Sequence, residues 1–277
     1  MTRADRGGND LAFAETIGFC QYHPTFMDCG TAPTLTALEI CPCARGSSTS
    51  NSPQNRTPSI FKNFPHQNAA LSAEAAFKDG RKIKSITFII DENPMPVAAA
   101  FRFADNRDRA SLGLDIRLDH ASPARVVVEA SDGTLYMVEK FIKASGAGVC
   151  AAPPAVDPVV AEKTIGQMKL TDLTGPDSAA GATRFHRAAQ LNIQHPQLTG
   201  MQMNQITLLY TPMRFVNAVE VKQGEDLIFT LEGSMTLSEN PRIAFDYLIN
   251  GASTLNVRTR DTNETEWRKE FPAGSSS

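Results

Sequence analysis

From Leu112 to Asp119 the chain keeps a strict two-residue rhythm: Leu112, Leu114, Ile116 and Leu118 alternate with Gly113, Asp115, Arg117 and Asp119. Successive side chains of a strand point to opposite faces, so this rhythm builds a sheet with one apolar face. Wound as a helix at 3.6 residues per turn, the same residues would scatter around the axis. The pattern therefore predicts a half-buried strand with Asp115, Arg117 and Asp119 facing solvent. The rhythm recurs on both sides. Ile86, Phe88 and Ile90 alternate with Ser85, Thr87 and Ile89, Asn93-Pro94 breaks the strand, and Val97, Ala99, Phe101 and Phe103 line a face of the next. Arg125 to Ala130 and Thr134 to Lys143 read as a hairpin around Ser131-Asp132-Gly133, a turn-forming triplet. Short strands in series, with no helical pattern between them, indicate a β-sandwich.

A second β region follows. Phe215 to Lys222 alternates, turns at Gln223-Gly224-Glu225, and returns through Leu227, Phe229 and Leu231. Ile243, Phe245, Tyr247 and Ile249 share a face, Leu255 and Val257 begin another strand, and Glu264 to Phe271 closes the series. Between the two regions, Ala144 to Pro158 is dominated by Gly, Ala and Pro, and Glu162 to Leu170 reads as a short helix. The N-terminal stretch differs from all of this. Gly46 to Pro58 is a Ser/Thr/Asn/Pro tract with no periodicity, unable to bury enough apolar surface to offset its ordering entropy. The expected organisation of the 277 residues is an irregular extension over 1–75, a sandwich over 76–145, a flexible linker over 146–185 and a second sandwich over 186–272.

Composition narrows the function. With 27 Lys+Arg against 30 Asp+Glu the net charge is -3, which argues against a nucleic-acid-binding protein. The longest uncharged apolar runs, such as Val97 to Phe101, fall far short of the roughly 20 residues of a membrane-spanning helix. Glu15 interrupts the apolar stretch Leu11 to Phe19, so no secretory leader is visible. Cys20, His23, Cys29, Cys41 and Cys43 lack the paired Cys-x2-4-Cys spacing of structural zinc. No metal or other cofactor is expected. Met201, Met203 and Met213 read as adaptable packing at the interface between the sandwiches, and Asp91-Glu92-Asn93 as a turn before Pro94. No Ser-His-Asp order, phosphate loop or dinucleotide glycine pattern is present. No enzymatic activity is expected.

Several phrases, taken in order, carry a resemblance. KSITFIIDENPMPVAAAFRF followed by ASDGTLYMVEKFIKASGAGVCAAP is similar to the SoxY-type sulfur-carrier domain, and HPQLTGMQMNQITLLYTPMRF through SENPRIAFDY is similar to the SoxZ-type partner domain. Together on one chain they resemble the fused SoxYZ-like carriers associated with quinoprotein dehydrogenases. The resemblance covers about residues 81–272. It implies two immunoglobulin-like sandwiches, a periplasmic carrier, sulfur-oxidising enzymes or a quinoprotein dehydrogenase system as partners, and docking of the two β domains on each other. It also implies a cysteine that holds sulfur covalently, and the matching position is Cys150. The SoxY family places a Gly-Gly before that cysteine; here Gly146-Ala147-Gly148-Val149 precedes it. Residues 1–75 match neither a leader nor the family's early strand, which leaves the first sandwich without that edge.

What the resemblance asks of Cys150 is a thiol on a mobile arm. The thiolate is the reactive form, a few per cent of an unperturbed thiol at pH 7. Gly146 and Gly148 supply arm flexibility, and no Lys or Arg adjoins Cys150 in sequence, so activation is expected from the partner enzyme. His195, at the start of the second matched region, is a possible auxiliary group. These residues predict a solvent-reachable sulfur that iodoacetamide labels readily. The competing expectation is a binding or scaffold module for a quinoprotein dehydrogenase or its cytochrome, with no covalent cargo.

Overall fold

The computed structural model describes residues 35–41, 68–104, 107–144, 148–152, 161–173, 186–204 and 207–273. Gly146, Cys20, His23, Cys29, Cys43 and the Gly46–Pro58 tract lie outside the described residues. Among the described residues there are fourteen strands: β1 Leu35–Cys41, β2 Asn68–Ala76, β3 Ile83–Ile90, β4 Val97–Arg102, β5 Arg109–Arg117, β6 Ser122–Ala130, β7 Leu135–Ile142, β8 Met168–Asp172, β9 His186–Ile193, β10 Val216–Gln223, β11 Asp226–Gly233, β12 Arg242–Leu248, β13 Thr254–Asp261 and β14 Glu266–Pro272. The alternation explains most of them. Along β6, every second residue from Ser122 to Ala130 is buried. On β3 a register shift between Ile83 and Ser85 lets both Ile83 and Ile86 face inward. The β6–β7 hairpin turns as its triplet predicts, with Gly133 at φ 84 and the Thr134 N–H donating to Asp132 Oδ1 at 2.9 Å.

The strands form two antiparallel sheets, a two-layer all-β sandwich in each half of the chain. One sheet runs β1-β2-β5-β12-β9-β8 and the other β14-β13-β10-β11-β4-β3-β6-β7. Each sheet therefore continues from the first half into the second. In one layer Phe101 of β4 pairs with Leu231 of β11, and in the other Leu114 of β5 pairs with Ile243 of β12. The core crosses the same two seams. Phe88 and Phe101 lie 5.9 Å apart, Phe101 and Phe229 5.3 Å, and Phe229 and Phe245 5.1 Å, each pair edge to face. Such pairs add about 1 kcal/mol apiece beyond the area they bury. Polar contacts reinforce the seam between β5 and β12: Arg242 Nε donates to Asp115 Oδ2 at 2.6 Å, and the Ser111 N–H donates to Asp246 Oδ1 at 2.7 Å.

Four expectations are corrected. First, β2 begins at Asn68, inside the stretch expected to be irregular, and pairs with β5 over its whole length. Second, β1 pairs with β2, so the first sandwich has early strands where the sequence leads one to expect a missing edge. Third, the connector is not wholly irregular, because β8 lies within it and pairs with β9. Fourth, the helix expected over Glu162–Leu170 does not run through that stretch: helical backbone ends at Glu162, and turn residues follow from Lys163 to Gly166. Gly166, at φ 79, ends any continuation. Met168 and Leu170 then point inward as strand residues.

Candidate functional site

Leu118 follows the inward rhythm of β5, but the opposite face is not solvated. Asp115, Arg117 and Asp119 are all buried, because two segments of the second half fold across them. The carbonyl oxygens of those segments take up the Arg117 guanidinium. Nη1 donates to Gln197 O at 2.6 Å, Met235 O at 3.3 Å and Leu237 O at 3.5 Å, and Nη2 donates to Pro196 O at 3.4 Å. Asn93 fixes the chain beyond β5. Its side-chain amide donates to Arg117 O at 2.8 Å, and its Oδ1 accepts the Asp119 N–H at 2.9 Å. The Asp91–Asn93 segment is thus more than a turn, since Asn93 is a buried strut.

Cys150 sits against this strand end. Val149–Ala151 form a single 3-10 turn, entered through Gly148 in the left-handed region at φ 79. The Cys150 N–H donates to Asp119 Oδ1 at 2.9 Å, and the Gly148 N–H donates to Asp119 O at 3.2 Å. From the second half, Thr199 Oγ1 donates to Cys150 O at 2.5 Å. Thr199 is itself held, its N–H donating to Gln202 Oε1 at 3.0 Å. Cys150 is consequently 1% exposed. The expected solvent-reachable sulfur is not what the structure holds. The flanking small residues let the backbone turn tightly enough to seat the thiol, instead of displaying it.

The electrostatics follow from the seat. Burial, and then the Asp119 carboxylate within hydrogen-bonding reach of the thiol, push Cys150 up to about 12, with the Arg117 charge opposing. The seated thiol is neutral near pH 7 and is a poor nucleophile. Burial also pulls the Arg117 guanidinium below its usual range, against the charges of Cys150 and Glu239. On the outer side of the seat, His120 Nδ1 lies 2.9 Å from Asp119 Oδ2.

His195 is brought to the same loop but not to the thiol. Its Nδ1 accepts the Gln197 N–H at 3.0 Å, its Nε2 faces Asp261 Oδ2 at 3.6 Å, and Trp267 stands edge-on at 6.3 Å. None of these is a contact with Cys150. Burial lowers the imidazole to about 4, the Asp261 charge opposing, so His195 is neutral and braces the segment whose carbonyls hold Arg117. Met213, expected in packing, is exposed, while Met201 and Met203 are half-buried. Among the described residues, no group of three or more His, Cys, Asp or Glu stands in position to hold a metal ion. No helix among them is long and apolar enough to cross a membrane. Sequence reasoning missed Arg117, Asp119 and Thr199. The signal for the first two was present as charges alternating along β5, but the period alone assigns that face to water.

Comparison with known families places this geometry. Residues 54–150 match the family model described as sulfur oxidation protein SoxY, and residues 179–272 match the one described as sulphur oxidation protein SoxZ. The fold and the two matches define a two-part β-sandwich protein of the sulfur-oxidation families. The chain is a fused SoxYZ-like protein, with the SoxY part first. No curated protein matches it. A solved structure of manganese lipoxygenase of Gaeumannomyces graminis with partial zonadhesin of Komagataella pastoris is similar over 74% of this chain and 87% of that chain, at 8% identity and a TM-score of 0.18. A likeness that slight carries no argument.

Proposed function

We propose that this protein is a non-enzymatic carrier that holds a sulfur species covalently on Cys150 and presents it to sulfur-oxidising enzymes in the periplasm. The observation that carries the reading is the position of Cys150. It is the last residue of the SoxY match, and it lies where the two halves meet, held by Asp119 from one and Thr199 from the other. In the seat the thiol is protonated and withdrawn. A cycle therefore requires the 148–152 segment to leave, breaking the bonds to Asp119 and Thr199. In water the thiol regains a pKa of about 8.5 and a usable thiolate fraction. Loading is then ordinary thiol–disulfide chemistry. With tetrathionate, the Cys150 thiolate attacks an inner sulfur. A new S–S bond forms, the old one breaks, and thiosulfate leaves with the electron pair. The product is the S-thiosulfonate Cys150 Sγ–S–SO3−; tetrathionate is itself the oxidant, and no other is needed. Docking of the two β domains, through the seams described above, keeps both sides of the seat together. His195 acts at a distance by bracing the loop that receives Arg117.

Intact-mass analysis tests this. After prolonged incubation with tetrathionate, the wild-type chain gains one S–SO3 adduct more than Cys150→Ser does, located on the peptide that contains Cys150, whatever forms on the other four cysteines. An unmodified Cys150 peptide, or an equal number of adducts in Cys150→Ser, sinks the carrier reading. The sequestered thiol favours one rival, a binding module for a quinoprotein dehydrogenase or its cytochrome. That reading gains if the mass is unchanged while dehydrogenase binding is retained.

A further inference from the structure

We infer that Asp119 makes the Cys150 seat selective for the unloaded arm: a neutral thiol is retained, and an anionic sulfur adduct is expelled. The inference rests on the carrier reading and names what times the arm's release. The seat is closed to solvent, with Cys150 1% and Asp119 8% exposed. A single carboxylate serves it twice, accepting the Cys150 N–H at Oδ1 and standing within reach of the thiol. A thiol meets that carboxylate as a neutral donor. The S-thiosulfonate that loading leaves on Cys150 carries a permanent negative charge that protonation cannot remove at physiological pH. Two like charges this close, in a site with little water, repel strongly.

Among the described residues, no cation beside the seat is free to compensate. The Nη1 and Nη2 donors of Arg117 are directed at four carbonyl oxygens. Its field also acts on the cysteine less strongly than the Asp119 carboxylate does. Glu239 further offsets the Arg117 charge. His120 lies on the outer oxygen of Asp119 and is itself largely exposed. Loading would therefore break the Cys150 N–H bond to Asp119 and free the segment that Thr199 clamps. Once the partner removes the anionic group, the neutral thiol can settle again. The cargo would set the position of the arm without any conformational signal from elsewhere.

The test uses the full chain labelled to completion at Cys150 with three methanethiosulfonate reagents: methyl (neutral), trimethylammonioethyl (cationic) and sulfonatoethyl (anionic). The last two differ in charge far more than in size. Amide hydrogen exchange at Cys150 and Gly148 reads the seat directly, since both N–H groups bond to Asp119. The anionic adduct should exchange on the order of tenfold faster than the cationic one. Asp119→Asn keeps the acceptor oxygen and loses the charge, so it should collapse that difference. Equal exchange of the two charged adducts in the wild-type chain overturns the inference, as does a difference that survives in Asp119→Asn. The wild-type comparison stands alone should the variant fold poorly. These adducts report on the seat whatever the natural cargo is. Failure here thus leaves the tetrathionate result intact, and failure there leaves this one intact.

Discussion

Three hydrogen bonds hold the backbone around Cys150, two to Asp119 and one from Thr199. A net hydrogen bond is worth about 1 kcal/mol, so removing one should raise the open fraction of the arm roughly fivefold. Thr199→Val is accordingly expected to speed iodoacetamide labelling of Cys150 about fivefold in the native protein. Native wild-type protein should label at least about a hundredfold more slowly than protein unfolded in urea, because the reagent needs both an open arm and a thiolate. Wild-type labelling at the unfolded rate would contradict the seat. At this scale the sequence revealed the cysteine and hid its surroundings. Cys150 stands out by its Gly/Ala neighbours. Arg117 and Asp119 look like solvent-facing charges because Arg117 is covered by loops some 80 residues away or more and Asp119 by the Cys150 turn 31 residues away, and no local pattern encodes either. Thr199 has no signal of its own, since one hydroxyl in a polar loop is unremarkable until its partner is known.

The strands with strong alternation were legible as elements. Those built from weak formers or short runs were not. Strand β2 reads AALSAEAA after its first residue, and alanine signals neither β propensity nor much hydrophobicity. Its pairing with β5 on one side and β1 on the other makes it a strand. Strand β8 has five residues, with Met168 and Leu170 inward, too few to distinguish a period of two from one of 3.6. Gly166 decides between them. A Cβ there would lie 2.1 Å from Trp267 Nε1, and the residue adopts φ 79. Gly166→Ala therefore combines backbone strain with a steric clash, and a cost of about 2–4 kcal/mol is expected. Urea denaturation should show the loss, and Trp267 emission should shift as the indole is displaced. Unchanged stability and emission would mean that the β8 entry is not packed on Trp267.

Across the whole molecule, the alternation correctly gives two runs of strands but not their joining. The β4–β11 and β5–β12 pairings link residues more than a hundred positions apart, and nothing in a strand's own pattern says which edge it will meet. Because the core and both sheets run through the seams, unfolding is expected to be a single cooperative transition. Trp267 fluorescence reports from the second half and far-UV circular dichroism from the strands of both, and the two should give the same urea midpoint. Separated midpoints would show halves that melt independently. Acid should weaken this unit in a defined window. His195 is held neutral when folded, near 4 against 6.5. Between about pH 6.5 and 4 the unfolded chain binds a proton that the folded chain refuses, so stability falls as pH drops. The loss is on the order of 3 kcal/mol and ends near pH 4, where folded His195 also protonates. Asp261 is held below its ordinary range by Arg214 and the Thr265 N–H despite its burial, so its contribution is lost at still lower pH. His195→Gln should flatten the profile between pH 6.5 and 4, and a slope unchanged in that variant would assign it to other groups.

The seams also bear on abundance. Two strand borders that recognise each other from separate polypeptides stay joined only above some concentration, and each is left raw if its counterpart is made in shortfall. Here both are translated once per molecule, on the same ribosome and in equal number. Dilution has nothing to dissociate, and neither border need wait for a mate while it could pair with a stranger.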